Sequence, residues 1–425
     1  MLPDAHYLNC DLPSASRRLA DPEWFFRSLP KQATVILDEI HRLPDPTLPL
    51  KIAADVFPRL RILATGSSTL AAARKFRDTL TGRRVHLYLP PVLWPECLDV
   101  FDLPDLDRRL LCGGLPEHLL SGVKDPVYFA EWLDNFYARD IQDLFGIRER
   151  TGFLNLLRLM LRQSGGLVDY SALSRECDLS WPTVKAHLEA MTVACALFPL
   201  PPFAGGGRRE IVRRPRVYGF DTGFVAFVRG WESIQDEDHG LLWEHLVLDA
   251  LRVCTGDLDL FYWRDKSGRE VDFLVRGTGG RVDAIECKIS PDRFEPASLL
   301  VFRSAFSGGR NYLICPSVDA PFARRYGDLV VRVGSCQTLL TELSPARAHF
   351  RRCVRLAPRC RNPAIGRMWS GREPTRRSWR AGSPRGSLER RSFAPRSGDA
   401  GRWSGPCSPR RRWLAPAAPC LPRGR

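Results

Sequence analysis

No apolar run in the 425-residue chain approaches the ~20 residues that cross a bilayer. The opening "MLPDAHYLNCDLPSASRRLADPEW" lacks the basic region and apolar core of a secretory leader. The reading is therefore a cytoplasmic protein with no membrane partner. The thirteen cysteines contain no CxxC pair and no Cys/His group at metal spacing. That excludes a zinc finger and argues against a disulfide framework; an odd, scattered set suits reduced thiols. Also missing is the phosphate-cradle pattern G-x-x-x-x-G-K-[ST]. "GSSTLAAARK" lacks its second glycine and its Lys-Thr end.

Lysine is missing from residues 351–425, which hold 20 Arg against 3 acids. The net charge of +15 resides there, because the other residues carry 43 basic and 45 acidic side chains. The folded part is thus nearly neutral, and overall charge says little about its partners. The tail is rich in Arg, Pro, Gly and Ser and has no helical or strand period. It buries too little apolar surface to offset chain entropy and is expected to be disordered. It reads either as a basic arm for nucleic acid or as an accidental extension.

What is present is a strand signal with a polar end. In "ATVILDEIHRLPD" an apolar run leads into Asp38 and Glu39. In "RLRILATGSS" a second run leads into Thr65, Gly66, Ser67 and Ser68. In open α/β sheets, ligands bind at the carboxyl ends of strands. There an Asp holds magnesium and a Glu polarises the attacking water of a nucleoside triphosphatase. The plain alternative for either stretch alone is a buried strand followed by a capped helix.

Alternating strands and helices over residues 1–90 predict a parallel α/β sheet. Residues 91–150 read as helical, ending in "YFAEWLDNFYARDIQDLFGI" with Phe129, Leu133, Phe136, Tyr137, Ile141 and Leu144 three or four apart. Residues 151–222 read as helix, turn, helix and two strands. Ser180 would cap the second helix, with Pro182 in its first turn. That is the order of a winged helix. Arg208, Arg209, Arg213, Arg214 and Arg216 would flank the wing tip, where DNA-backbone contact competes with a merely solvated loop. Residues 223–345 read as a second α/β unit, and 346–425 are the tail.

In that second unit, "WRDKSGREVDFLVRGTGGRVDAIECKIS" turns at Gly277–Gly280. Pairing about the turn sets Asp272 opposite Ile285 or Glu286. Glu286 and Lys288, two apart, share a strand face. Glu244 lies on the preceding helix. The set resembles the PD-(D/E)xK nuclease fold, in which Asp272 and Glu286 would bind Mg²⁺ and Lys288 would steady a hydroxide. The plain alternative is a hairpin whose charges pair at the surface.

The order "YLNCDLP … VILDEIHRLPD … RILATGSS … LTGRRVHLYLPPVLWPE … GGLPEHLL … FYARDI" resembles prokaryotic AAA-type ATPases that carry a C-terminal domain of unknown function 4143. "RPRVYGFDTG", "LLWEHLVLDAL", "FYWRDKSGREVDFLV" and "DAIECKIS" continue the likeness over roughly residues 5–335. The resemblance implies ATP and Mg²⁺ as cofactors and roles for Asp38 and Glu39 as the acid pair. It also implies Thr65 and Ser67 as the sensing strand, and Arg83 and Arg139 as phosphate-facing arginines. DNA and further copies of the chain are the partners considered.

The resemblance further implies an upstream P-loop, so this sequence is expected to begin after its cradle. The expected fold is therefore α/β. It comprises an incomplete P-loop parallel sheet, a helical lid, a winged helix and a C-terminal restriction-endonuclease-like domain. The expected function is an AAA-family ATP-binding protein, defective in hydrolysis as written. The alternatives are a DNA-binding or metal-dependent DNA-cleaving protein with the ATPase half as scaffold, and a fragment without activity.

Overall fold

The computed structural model describes residues 4–66, 89–142, 145–205, 214–255 and 259–343. Ser67, Arg83, Leu144, Arg208, Arg209, Arg213 and the Arg-rich tail lie outside the described residues.

The chain opens with strand β1 (Ala5–Asn9) and helices α1 (Pro13–Arg18) and α2 (Pro22–Arg27). Asp21 starts α2 by accepting from Trp24 N at 3.0 Å, and Pro22 occupies a first-turn position whose N–H would be unpaired. Strand β2 (Thr34–Asp38), helix α3 (Thr47–Val56) and strand β3 (Arg61–Ala64) follow. The three strands form a parallel sheet in the order β1-β2-β3, with Asn9 opposite Asp38 and Leu37 opposite Ala64. Val35, Leu37, Phe25, Phe26 and Ile40 make a small separate core beneath it.

Helices α4 (Trp94–Asp99), α5 (Leu106–Cys112), α6 (Pro116–Ser121) and α7 (Pro126–Phe136) come next. The sequence period predicts one helix continuing past Phe136. Instead the backbone widens into a π-helical turn, Tyr137–Gln142. The spacing is nonetheless respected, since Phe129, Leu133, Phe136, Tyr137 and Ile141 are all buried.

Helix α8 (Arg150–Arg162), the two-residue strand β4 (Gly166–Leu167), helices α9 (Tyr170–Glu176) and α10 (Trp181–Val193), and strands β5 (Leu197–Leu200) and β6 (Arg216–Gly219) form the next layer. Ser180 caps α10 through Thr183 N at 3.3 Å. Strand β6 is central, antiparallel to both β4 and β5. β4 is too short to announce itself in the sequence. Phe153, Leu156, Leu157, Val184 and Met191 fill the space between these helices.

Helices α11 (Thr222–Arg229) and α12 (His239–Thr255) lead into strands β7 (Leu260–Arg264), β8 (Glu270–Arg276) and β9 (Val282–Cys287). Helix α13 (Ala297–Ala305), strands β10 (Asn311–Ile314), β11 (Phe322–Tyr326) and β12 (Leu329–Gly334), and helix α14 (Cys336–Glu342) complete the described chain. The six strands lie in the order β11-β12-β10-β9-β8-β7. β10 runs parallel to β9 and β12, while β7-β8-β9 form an antiparallel meander. Seventeen-residue α12 lies on this sheet, pinned by the buried Trp243, whose indole N–H donates to Ile314 O at 2.9 Å. Among the described residues no helix is long and apolar enough to cross a membrane.

Two sheets are joined through the backbone. Phe203 N donates to Tyr262 O at 2.7 Å and Tyr262 N to Pro201 O at 3.0 Å, so the segment after β5 caps the edge strand β7. Covering an edge in this way removes a template for unwanted strand pairing.

Candidate functional site

The carboxyl end of the first sheet gathers the nucleotide-type residues. Asp38 ends β2, and Thr65 follows β3 beside it. The carboxylate of Asp38 accepts a hydrogen bond from Thr65 Oγ1 on one oxygen and from the Tyr7 hydroxyl on the other, the latter at 2.5 Å. These hydroxyls, Thr65 first, hold the Asp38 carboxyl below the usual range. Tyr7 sits in the sequence block "YLNCDLP" but carried no assigned role; its place on the neighbouring parallel strand brings it here.

Glu39 adopts a left-handed backbone, φ 53° and ψ 41°. For a residue with a Cβ this costs about 1–2 kcal/mol. Its amide N–H donates to Thr65 Oγ1 at 3.3 Å, and its carboxylate meets His41 Nδ1 at 3.1 Å. The π-helical turn approaches the same end. Burial raises the Asp140 carboxyl, with Glu39 adding to the effect and His41 and Arg42 opposing it. Arg139, next to Asp140, is exposed. The structure thus brings Asp38, Glu39, Thr65 and the Arg139 turn together.

The second site lies on the six-stranded sheet. Phe273 pairs with Ile285, which sets Asp272 opposite Glu286 on one face. Both are buried, at 4% and 5% exposure. Asp272 Oδ2 accepts from Cys287 N at 2.8 Å. Lys288 Nζ lies 3.6 Å from that same oxygen and 3.4 Å from Glu286 Oε2. Burial works against the lysine charge, but Asp272 and Glu286 outweigh it and hold the ammonium above its ordinary range. Burial, with the adjacent Asp272, pushes the Glu286 carboxyl well up. Glu286 Oε1 is buried and has no hydrogen-bond partner.

Glu244 projects from α12 toward the same group. Burial, and then the charge of Asp272, push its carboxyl up to about 8. The Tyr218 hydroxyl donates to Glu244 Oε2 at 3.0 Å, and Arg216 Nη1 lies 3.9 Å from it. Arg216 also reaches Glu270 Oε2 at 2.6 Å and stacks over the Tyr262 ring at 5.3 Å.

This corrects the sequence reading of Arg216 as a wing-tip charge. Arg216 is 7% exposed and turned inward, because its strand β6 is central and two glutamates neutralise it. Arg214 remains near the surface, paired with Asp169 at 2.9 Å. The signal available in "RPRVYGFD" was its period of two, which puts Arg216 and Tyr218 on one face of a strand otherwise apolar. Among the described residues no group of three or more His, Cys, Asp or Glu is arranged to hold a metal ion.

A third polar cluster ties α5 to α11. Asp221 accepts from Gly114 N at 2.6 Å and Gly223 N at 2.8 Å. The fully buried Arg109 donates to Val92 O at 2.9 Å and Thr222 Oγ1 at 3.1 Å. Gly113, at φ 79°, has no room for a side chain, since a Cβ would stand 2.0 Å from Asp221 Oδ1.

Three family models match successive parts of the chain. They are an AAA domain over residues 2–98, a domain of unknown function (DUF8612) over 103–235, and a domain of unknown function (DUF4143) over 239–333. Uncharacterized proteins of Mycobacterium bovis and Mycobacterium tuberculosis are each 29% identical over 281 residues, which cover 63% of this chain. The chain spans 61% of the length of these curated relatives. A solved chain from the tetradecameric assembly of Thermococcus gammatolerans McrB AAA+ hexamers with bound McrC is 13% identical, covering 48% of this chain and 52% of that one. Its TM-score of 0.20 is too low to carry any argument about fold. The chain thus resembles an AAA domain at its start, over residues 2–98, and a DUF4143 domain on the six-stranded sheet, over residues 239–333.

Proposed function

We propose that the DUF4143 portion carries a PD-(D/E)xK-type site for metal-dependent phosphodiester hydrolysis, and that the AAA portion serves as a nucleotide-type scaffold. The observation that carries this reading is the register that puts Asp272 opposite Glu286 with Lys288 between them. Burying two carboxylates side by side is costly unless a cation completes the site. The partnerless Oε1 of Glu286 is the atom a cation would satisfy. Mg²⁺ needs only one or two protein carboxylates, the rest of its shell being water or substrate phosphate. Asp272 and Glu286 would hold it, and it would supply Lewis acidity toward a phosphoryl oxygen. Lys288 contributes a fixed positive charge that favours hydroxide over water nearby, and Glu244 is the neighbouring acid.

The order α8, β4, α9, α10, β5, β6 supports a winged helix beside this site. DNA is accordingly the proposed substrate class. The parts would be the AAA core at 1–90, helical lid at 91–150, winged helix at 151–222 and nuclease-like unit at 223–345.

At the AAA end, the residues present fit half of an ATP–Mg²⁺ site. Asp38 would be the metal-side acid, Glu39 the water-polarising acid, Thr65 the sensing hydroxyl and Arg139 a phosphate-facing cation. A triphosphate also needs a lysine and a ring of backbone amides, and the sequence has no such motif. No hydrolytic step is therefore assigned to this end.

The test is nicking of supercoiled plasmid by the full chain with Mg²⁺ or Mn²⁺. Nicking that is lost in Lys288→Ala and Glu286→Gln is expected. Equal nicking by all three proteins, or none by any, refutes the site.

A further inference from the structure

We propose that the carboxylate site is composite. Its outer wall is strand β6 of the three-stranded sheet, and Arg216 and Tyr218 are positioning residues for Glu244. This rests on the metal-site reading above and deepens it, since the motif "RPRVYGFD" has no part in that reading.

Three observations converge. First, Arg216 and Tyr218 are two apart on β6, so both side chains leave the same face, and both are buried. Second, both converge on one atom, Glu244 Oε2, at 3.9 Å and 3.0 Å. A carboxylate held through one oxygen by a hydroxyl and a guanidinium has its plane fixed and its second oxygen directed. Third, Arg216 is itself braced on two further elements: Glu270 at the start of β8, at 2.6 Å, and the Tyr262 ring on β7, at 5.3 Å. Tyr262 in turn donates its hydroxyl to Arg214 O at 2.7 Å and pairs through its backbone with the segment after β5. The bracing therefore spans two sheets.

The number of acid groups gives a cation several oxygens to choose from. Glu244, Asp272 and Glu286 bring three carboxyl groups into one buried region, and Lys288 compensates for only part of that. Arg216 pairs with Glu244 through Oε2 from the β6 side. Outer partners that orient acid groups around a metal typically contribute 10–100-fold in metal affinity.

The experiment is Mn²⁺ binding to the full chain by calorimetry, far below each variant's melting temperature. Wild type is expected to bind, and Glu286→Gln is expected to lose binding. Tyr218→Phe and Arg216→Met should each weaken it at least ~10-fold. Arg216→Lys, which keeps the charge but not the two-armed reach, should recover part of the loss. Should Arg216→Met not fold, Glu270→Gln removes the brace on its more exposed side and should weaken binding by about 3-fold or more. Binding lost in Glu286→Gln but unchanged in Tyr218→Phe, Arg216→Met and Glu270→Gln overturns the composite wall and spares the metal site. Absence of Mn²⁺ uptake by wild type overturns both.

Discussion

Asp272 and Glu286 face each other across β8 and β9, and the ammonium of Lys288 lies 3.6 Å from the first and 3.4 Å from the second. Whether such a group costs or adds stability is measurable.

Glu286→Gln should stabilise the fold by about 1 kcal/mol, because burial and Asp272 disfavour the ionised carboxyl and the amide cannot ionise. Lys288→Met should lower stability by about 3 kcal/mol, because it strands two buried carboxylates. Urea titration of the two variants checks the opposite signs. Destabilisation by both would mean that the three groups form a purely structural network.

Between pH 4 and 6.5 Asp249 and His245 should bias stability in opposite directions, and two variants should separate the two slopes. Burial pushes the Asp249 carboxyl up to about 7, so its contribution is present at low pH and is lost as pH rises toward 7. Burial, and then Arg229, push the His245 imidazole down to about 3, so its contribution is present above about 6.5 and is lost as pH falls toward 3. In the shared window each slope is about 1 kcal/mol per pH unit, and the signs are opposite. Relative to wild type, Asp249→Asn should therefore gain stability as pH rises across the window, and His245→Gln should lose it. Denaturant midpoints at half-unit pH steps would show this. Parallel curves for both variants would refute it.

Glu39→Gly should stabilise the fold by about 1 kcal/mol, since glycine adopts the left-handed backbone at φ 53° without strain. The lost contact with His41 is partly exposed and worth little. A lower denaturation midpoint would show that the side chain, not the backbone, dominates at this position.

ATP with Mg²⁺ at millimolar concentration should barely move the melting temperature of the 425-residue chain, and turnover should be negligible. A ligand stabilises only in proportion to how far its concentration exceeds the dissociation constant. A magnesium-dependent upward shift abolished by Asp38→Ala would show a working cradle.

Much of this was legible from residue order. The runs ending at Asp38 and Thr65 fall side by side because parallel strands align their carboxyl ends. The Gly277–Gly280 turn fixed the pairing of Asp272 to within one residue, and the hairpin selected Glu286. What remained hidden came from contacts far apart in sequence. Tyr7 reaches Asp38 across 31 residues, and Tyr218 reaches Glu244 across 26. A basic cluster ending at Arg216 looks like a solvated patch until the strand pairing shows which arginine turns inward. The π turn at Tyr137 keeps the helical period of its apolar residues, so no pattern distinguishes it from ordinary helix.

The amide pairs between Phe203, Pro201 and Tyr262 have a mechanical consequence. They splice the central-β6 layer onto the rim of the six-stranded sheet, so parting the two layers there costs main-chain hydrogen bonds. Glu244 and its guanidinium brace sit on either side of that junction, so the acid cluster and the β6 layer share one hinge of backbone and side-chain bonds.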